Sequence, residues 1–419
     1  MIDPIVSSTL YHVIYKIFGE RESENAMRSE NRDLFSGPHG TGCALTRQHV
    51  RMSSHGGRTG LLYDFIGFVI ARFPRYLGCI MLILSLNVSI VNGATPDPEQ
   101  ENPWTFSLYF ENDLFFNTDQ HYTNGIKLTW ISLDLTSYAE SKKLPDWSHR
   151  YIRMLPFINE PGLKRNVAFS VGQAMYTPAD TKRADLIKND RPYAGWTYAA
   201  VAFHSKNERR LDSMEIQVGV VGPQSYAQFT QKAVHDLRGF ASPQGWDNQL
   251  KNEPGLNFIY ARKWRVFDIG LGKGLGVDVL TLLGGALGNI YTYANTGIEA
   301  RFGWNIPVDF GESQIQPASS SNDPVTAKYS RLSGFEGYSL FFYATADGRA
   351  VLRDIFLDGN TITRSHSVDK EYFVGNVAVG IGMILYRIKI SMAEVIRTKE
   401  FHGQQGDHKF ASITLSFTY

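Results

Sequence analysis

The sequence predicts an all-β chain, a transmembrane antiparallel up-and-down β-barrel of about 12 strands with one extracellular loop helix. After Ala94, no apolar run is long enough to cross a bilayer as a helix. Short segments instead alternate apolar and polar residues with period two, which sends successive side chains to opposite faces of a strand. The last segment does so most cleanly. Ala411, Ile413, Leu415, Phe417 and Tyr419 alternate with Ser412, Thr414, Ser416 and Thr418.

A final strand running to a C-terminal aromatic resembles the terminal strand of bacterial outer-membrane barrels. The same alternation recurs over Trp104–Phe110, Met214–Val220 and Tyr386–Met392. In lipid only a closed sheet satisfies every backbone group, and its lumen can stay polar. The strands are expected at 103–111, 122–132, 165–175, 195–205, 211–221, 254–264, 266–286 (broken by glycines), 291–305, 337–350, 371–384, 386–398 and 408–419. The link 133–164 is long for a periplasmic turn, and Trp147–Phe157 reads as a short interfacial helix. Residues 311–334, with Pro317 and Ser319–Ser321, read as a solvated loop.

Ahead of the barrel, Arg72 and Arg75 precede the apolar run Tyr76–Val91, which exits through Gly93 and Ala94. That order describes a secretory signal peptide over 71–94. A membrane-spanning helix is the alternative, but the run falls short of the roughly 20 apolar residues a span needs. Residues 1–70 read as an over-extended start or a leader, and 95–419 as the barrel. Both cysteines, Cys43 and Cys79, precede the expected cleavage site, so no disulfide framework is expected. A net charge of +1 implies no nucleic-acid partner.

If the mature N-terminus is periplasmic, odd strands end at the cell surface, and three motif-rich segments follow strands one, three and five. The first, Phe110–Trp130, holds Asn112, Asp113, Asp119 and His121, then Tyr122-Thr123-Asn124-Gly125. Such oxygens at a loop mouth suit a hard cation such as Ca2+. On spacing alone they fit an ordinary hairpin turn better, since such residues are routine in turns. Alternation puts Asp113 on the face of Ser107 and Glu111, and Thr123 on the face of Lys127 and Thr129. The second segment, Met175–Trp196, carries Lys182 and Arg183, adjacent cations that fit either a phosphate or a solvated loop. The third, Gly222–Leu256, contains the clearest helix. Ser225 and Gln228 have capping-box spacing and Gly239 suits the stop. Gln231 and His235 share one face, and Phe229, Ala233 and Leu237 form the opposite stripe. A lone histidine there is either solvated or a base, since neutral imidazole accepts a proton from water near neutral pH.

FENDLFFNTDQHYTNG, TKR after MYTP, DRPYAGW and the QKAVH…GWDNQL…NEPGL block, in this order, resemble the outer-membrane lipid A 3′-O-deacylases over roughly residues 101–265. The resemblance implies calcium-dependent hydrolysis of an acyloxyacyl ester of lipid A in the Gram-negative outer membrane. It implies a site between the barrel wall and a loop helix. It puts the family's Asn-Asp pair on Asn112 and Asp113, its hydroxyl residue on Thr123, and its Lys-Arg pair on Lys182 and Arg183. The helical Gln and His fall on Gln231 and His235. Where the family can carry an acid six positions after the histidine, this chain has Ala241, so that role is either absent or supplied elsewhere, with Asp236 and Glu253 as candidates.

The expected mechanism has His235 deprotonate a water, with Ca2+ held partly by Asp113. Asn112, Thr123 and Gln231 position ligands, and Lys182 and Arg183 hold lipopolysaccharide, among outer-membrane lipids, in a monomer. No serine has a Gly-x-Ser-x-Gly setting. The rivals are an outer-membrane phospholipase and a non-enzymatic porin or adhesin.

Overall fold

The computed structural model describes residues 104–113, 121–132, 134, 135, 137, 147–152, 154, 160–312, 315 and 337–419. The signal peptide, both cysteines, residues 1–70, Asp119 and most of the 311–334 loop lie outside them. Twelve strands form one closed antiparallel barrel in chain order. They are β1 (Thr105–Asn112), β2 (His121–Ile131), β3 (Lys164–Thr177), β4 (Ala194–Lys206), β5 (Arg210–Val221), β6 (Glu253–Gly272), β7 (Leu275–Gly288), β8 (Tyr291–Trp304), β9 (Tyr338–Asp354), β10 (Phe373–Leu385), β11 (Ile388–Arg397) and β12 (His408–Thr418). β12 closes on β1, where Ser107 and Ser416 pair hydroxyls at 2.8 Å and Thr105 and Thr418 at 2.9 Å. The hydroxyl face of the last strand therefore lines the lumen, and its apolar face turns to lipid.

Two strand boundaries differ from expectation. The break at Arg265 is a bulge and not a turn, and β6 continues for 20 residues to Gly272. The chain reverses at Gly272-Lys273-Gly274, all at positive φ, which lies in the left-handed region that glycine enters at least cost. Helix α1 (Ser148–Ile152) falls inside the expected interfacial segment. Helix α2 (Ala227–Arg238) is the expected loop helix, but α3 (Ile355–Asp358) adds a one-turn helix on the same rim. Asp354 caps α3 by accepting from Phe356 N at 3.0 Å, and the turn sets Phe356 against Tyr176 in the lumen mouth.

Three strand pairs, β4–β5, β6–β7 and β10–β11, are joined by short turns on one rim. The opposite rim carries the long loops 178–193, 222–252 and 355–372. In outer-membrane barrels short turns are periplasmic and long loops extracellular, an orientation these six connections match, while the links 132–163 and 305–337 and the tight β7–β8 turn depart from it. The lumen is packed. Tyr176 stacks on Phe356 with centroids 4.0 Å apart, bonds Tyr291 at 2.6 Å, and sits with Tyr122, Trp196, Tyr198 and Phe410 in one buried cluster. Lys127 spans from β2 to Glu215 on β5 at 3.1 Å.

Loop residue Glu400, between β11 and β12, lies within 3.2 Å of Arg191 and 3.4 Å of Arg397. Burial alone would raise its carboxyl, but Arg191 and Arg397 outweigh this and bring it down from 4.5 to about 2. A carboxylate depressed in the folded state contributes stability that is full above its unfolded value and is lost as pH falls through the folded one. The stability difference between the protein and its Glu400→Gln variant is therefore expected to hold steady at neutral pH and shrink between 4.5 and about 2. Urea midpoints across that range measure it. A pH-independent difference contradicts the assignment.

Candidate active site on the outer wall

Asn112 takes the outward position of the alternation in β1 and pairs with Asn124, which pairs with Met175, which pairs with Gly195. This row crosses β1 to β4 on the outer face near the extracellular rim. Outward positions of a barrel normally meet lipid, yet Asn112 and Met175 are buried, as are Thr123 and Thr177. Over Met175 the cover is the loop after β5, through Ala227 and Trp246.

That loop is latched to the outside of the sheet. The Ser225 carbonyl accepts from Gln173 Nε2 and Thr197 Oγ1, both outward residues, at 2.7 Å each. Ala227, the first residue of α2, packs with Met175, Tyr193 and Trp246. It sits so close to β4 that a Cβ on Gly195 would fall 2.2 Å from Ala227 Cβ and from Ser225 Oγ. The capping box is not formed. Tyr226, in the left-handed conformation, stands at the N-cap, and Ser225 Oγ lies 3.4 Å from Ala227 N. Gly239 ends the helix as expected, at φ 70°.

Within α2 the buried edge is Ala227, Gln231 and His235, spaced four apart. Gln231 Oε1 accepts from Trp246 Nε1 at 2.8 Å, which ties the helix to the Met175 cluster. His235 Nδ1 lies 2.8 Å from the Ala241 carbonyl oxygen, and Phe240 meets the ring edge-on. A carbonyl only accepts, so Nδ1 carries the hydrogen and neutral His235 keeps its lone pair on Nε2. The backbone of residue 241 thus does what a side-chain acid at that position would do. Neither alternative acid is available for the role. Asp236 pairs with Lys232 at 3.4 Å, and Glu253 is bonded to Asn289, Asn360 and Thr361.

Thr123 does not share the face of Lys127. A bulge between Tyr122 and Asn124 leaves it as the extra residue, with Tyr122 turned inward to Glu111 at 2.8 Å and Thr123 bonded to Thr177 at 2.7 Å. Thr177 follows the inward Tyr176, so the bulge moves Thr123 to the outer face. Asp113, wholly buried, follows β1 and is joined to β2 through its N–H to the Thr123 carbonyl. Lys182 and Arg183 lie on a loop docked to the segment after α2, with Gln244 N bonded to Thr181 O and Asn248 Nδ2 to Ala184 O. Arg183 is engaged by Asp185, which its hydrogen bonds hold below the usual carboxylate range. All seven expected residues therefore fall on one rim, along β1–β2 and the two loops that meet over β3–β4. Sequence reasoning missed Trp246, Thr177 and the Ala241 carbonyl. Only Trp246 had a signal, as part of the GWDNQL block.

A family model described as outer membrane protein LpxR matches residues 79–419. The chain belongs to the LpxR family. Among solved structures, LpxR from Salmonella typhimurium is similar in fold, with a TM-score of 0.57 at 18% identity over 75% of this chain and 100% of that one. The β domain of the Bordetella autotransporter BrkA reaches a TM-score of 0.34 at 9% identity, over 76% of this chain and 98% of its own. No curated protein matches the chain. LpxR membership places the protein in the outer membrane as a lipid A deacylase, with lipopolysaccharide as its substrate class.

Asp113 offers carboxylate oxygens, and its neighbour Asn112 an amide oxygen. That suits a hard cation and not a thiophilic one. Among the described residues, no group of three or more His, Cys, Asp or Glu gathers as a metal site. A calcium ion there would rest on one carboxylate supplemented by neutral oxygens.

Proposed function

We propose that this chain is a calcium-dependent carboxylic-ester hydrolase that removes the 3′-acyloxyacyl chain of lipid A, working as a monomer with His235 as general base. The observation that carries this is the buried polar edge of α2. A helix that turns Gln231 and His235 toward the wall, and orients the imidazole by bonding Nδ1 to the Ala241 carbonyl, is arranged for proton transfer at Nε2. The filled lumen favours an enzyme over a pore.

His235 Nε2 takes a proton from a water whose oxygen attacks the ester carbonyl carbon. The tetrahedral intermediate then expels the sugar oxygen, which takes the proton back from the imidazolium, leaving a free fatty acid and a free hydroxyl. Asp113 and the Asn112 amide would hold calcium, which when bound supplies positive charge beside the carbonyl oxygen. Thr123 is held by Thr177, and Gln231 by Trp246, so both act as positioning residues. Lys182 offers a point charge to a lipid A phosphate, and Arg183 joins it by exchanging Asp185 for that phosphate.

Mass spectrometry of lipid A from a Gram-negative host, with and without the protein, tests this. The expected result is loss of the 3′ acyloxyacyl mass, abolished by excess chelator. Undiminished loss in chelator removes the calcium role. Release of fatty acid from glycerophospholipid and not from lipid A would replace this reading with a phospholipase.

A further inference from the structure

We propose that α2 is an interfacial membrane element, with its free apolar arc set among the acyl chains of the outer leaflet. The inference rests on the outer-membrane barrel and not on the hydrolytic reading. At 3.6 residues per turn, successive residues of α2 step by about 100° around its axis. Ala227, Gln231 and His235 then occupy one arc, and this is the arc buried against the wall. Gln228, Lys232 and Asp236 fill the next arc. Phe229, Ala233 and Leu237 fill the third. Thr230, Val234 and Arg238 fill the fourth, between the apolar arc and the buried one, so the helix has one face for the sheet, one charged, one apolar and one mixed.

Among the described residues, little covers the apolar arc. Phe229 is 71% exposed and Leu237 60%, with Val234 at 39% on its flank. An exposed run of this kind is costly in water and ordinary in lipid. The helix lies outside the sheet, because its entry is bonded to outward residues Gln173 and Thr197. Directly below on the same face of β3 is lipid-facing Val171, and Val218, Leu256 and Phe258 continue the belt on β5 and β6. Met175, which α2 covers, is four residues above Val171. At about 3.3 Å per residue and a tilt near 40°, that is a vertical step of roughly 10 Å. Such a step puts α2 at the upper edge of the apolar belt, where amphipathic helices bury one face roughly 5–10 Å into the headgroup–acyl boundary. The charged arc, with Lys232 and Asp236 paired at 3.4 Å, then faces the headgroups and water.

The test uses the full chain carrying Cys43→Ser and Cys79→Ser, with a single spin label at Phe229→Cys, Leu237→Cys, Lys232→Cys or Asp236→Cys. Each variant is refolded into phosphatidylcholine vesicles, and assembly is checked by heat-modifiable gel migration. Oxygen partitions into the acyl region and a nickel chelate into water, so their relaxation of the label reports depth. Labels at 229 and 237 are expected to be several-fold more accessible to oxygen than to nickel, with the ratio reversed at 232 and 236. Equal ratios at all four positions, or stronger nickel access at 229 than at 232, would overturn the proposal. Because the readout is depth and not turnover, an inactive but correctly seated helix still supports it.

Discussion

Replacing His235 with alanine is expected to slow acyl release about 10²–10⁴-fold, the contribution of a positioned general base. The barrel itself is expected to assemble as before, because α2 lies outside the closed sheet and forms no part of its backbone ladder. His235→Gln should be as slow. Glutamine can still donate to the Ala241 carbonyl, but it offers no basic nitrogen. The measurement is the initial rate of fatty-acid release from purified lipid A in mixed micelles, with gel migration of the folded barrel as control. A folded His235→Ala protein that keeps its rate sinks the mechanism. A loss of folding in both variants would instead show that the helix supports the wall.

The second large effect concerns stability. Arg301, fully buried near the periplasmic end of the lumen, donates to both oxygens of Asp278, at 2.8 and 2.6 Å, and also to Asp309. Lys389 shares Asp309 at 2.8 Å and reaches Glu312 at 2.7 Å. Removing one member of a buried ion network leaves carboxylates uncompensated, which typically costs about 3–5 kcal/mol. Arg301→Met is expected to lie at the lower end of that range, because Arg265 still lies 3.4 Å from Asp278. Adding Asp278→Leu should restore only part of the loss, since it removes a buried carboxylate but also takes that partner from Arg265. Urea unfolding from phospholipid vesicles measures both variants. A single-variant loss under about 1 kcal/mol would mean that water already screens this end of the lumen.

Much of the fold was legible because a strand's inward and outward residues are written into its own period. The hydroxyl run Ser412, Thr414, Ser416 and Thr418 announced a lumen face before any partner strand was known. The long β6 was not legible. Its Arg265 irregularity looks like a strand end in sequence, and only pairing with β7 continues it to Gly272.

The site divides in the same way. Asn112, Asp113, Lys182, Arg183, Gln231 and His235 could be assigned to one rim by counting strands, since each reversal of an antiparallel chain switches ends. Counting does not say which side of the wall a loop folds onto. Three tertiary facts did: the latch from Gln173 and Thr197 to Ser225, the bulge that turns Thr123 outward, and the Ala241 carbonyl that holds His235. Periodicity belongs to each segment alone and survives in the sequence. A bulge, a latch and a backbone acceptor exist only relative to a partner distant along the chain, so packing alone decides them.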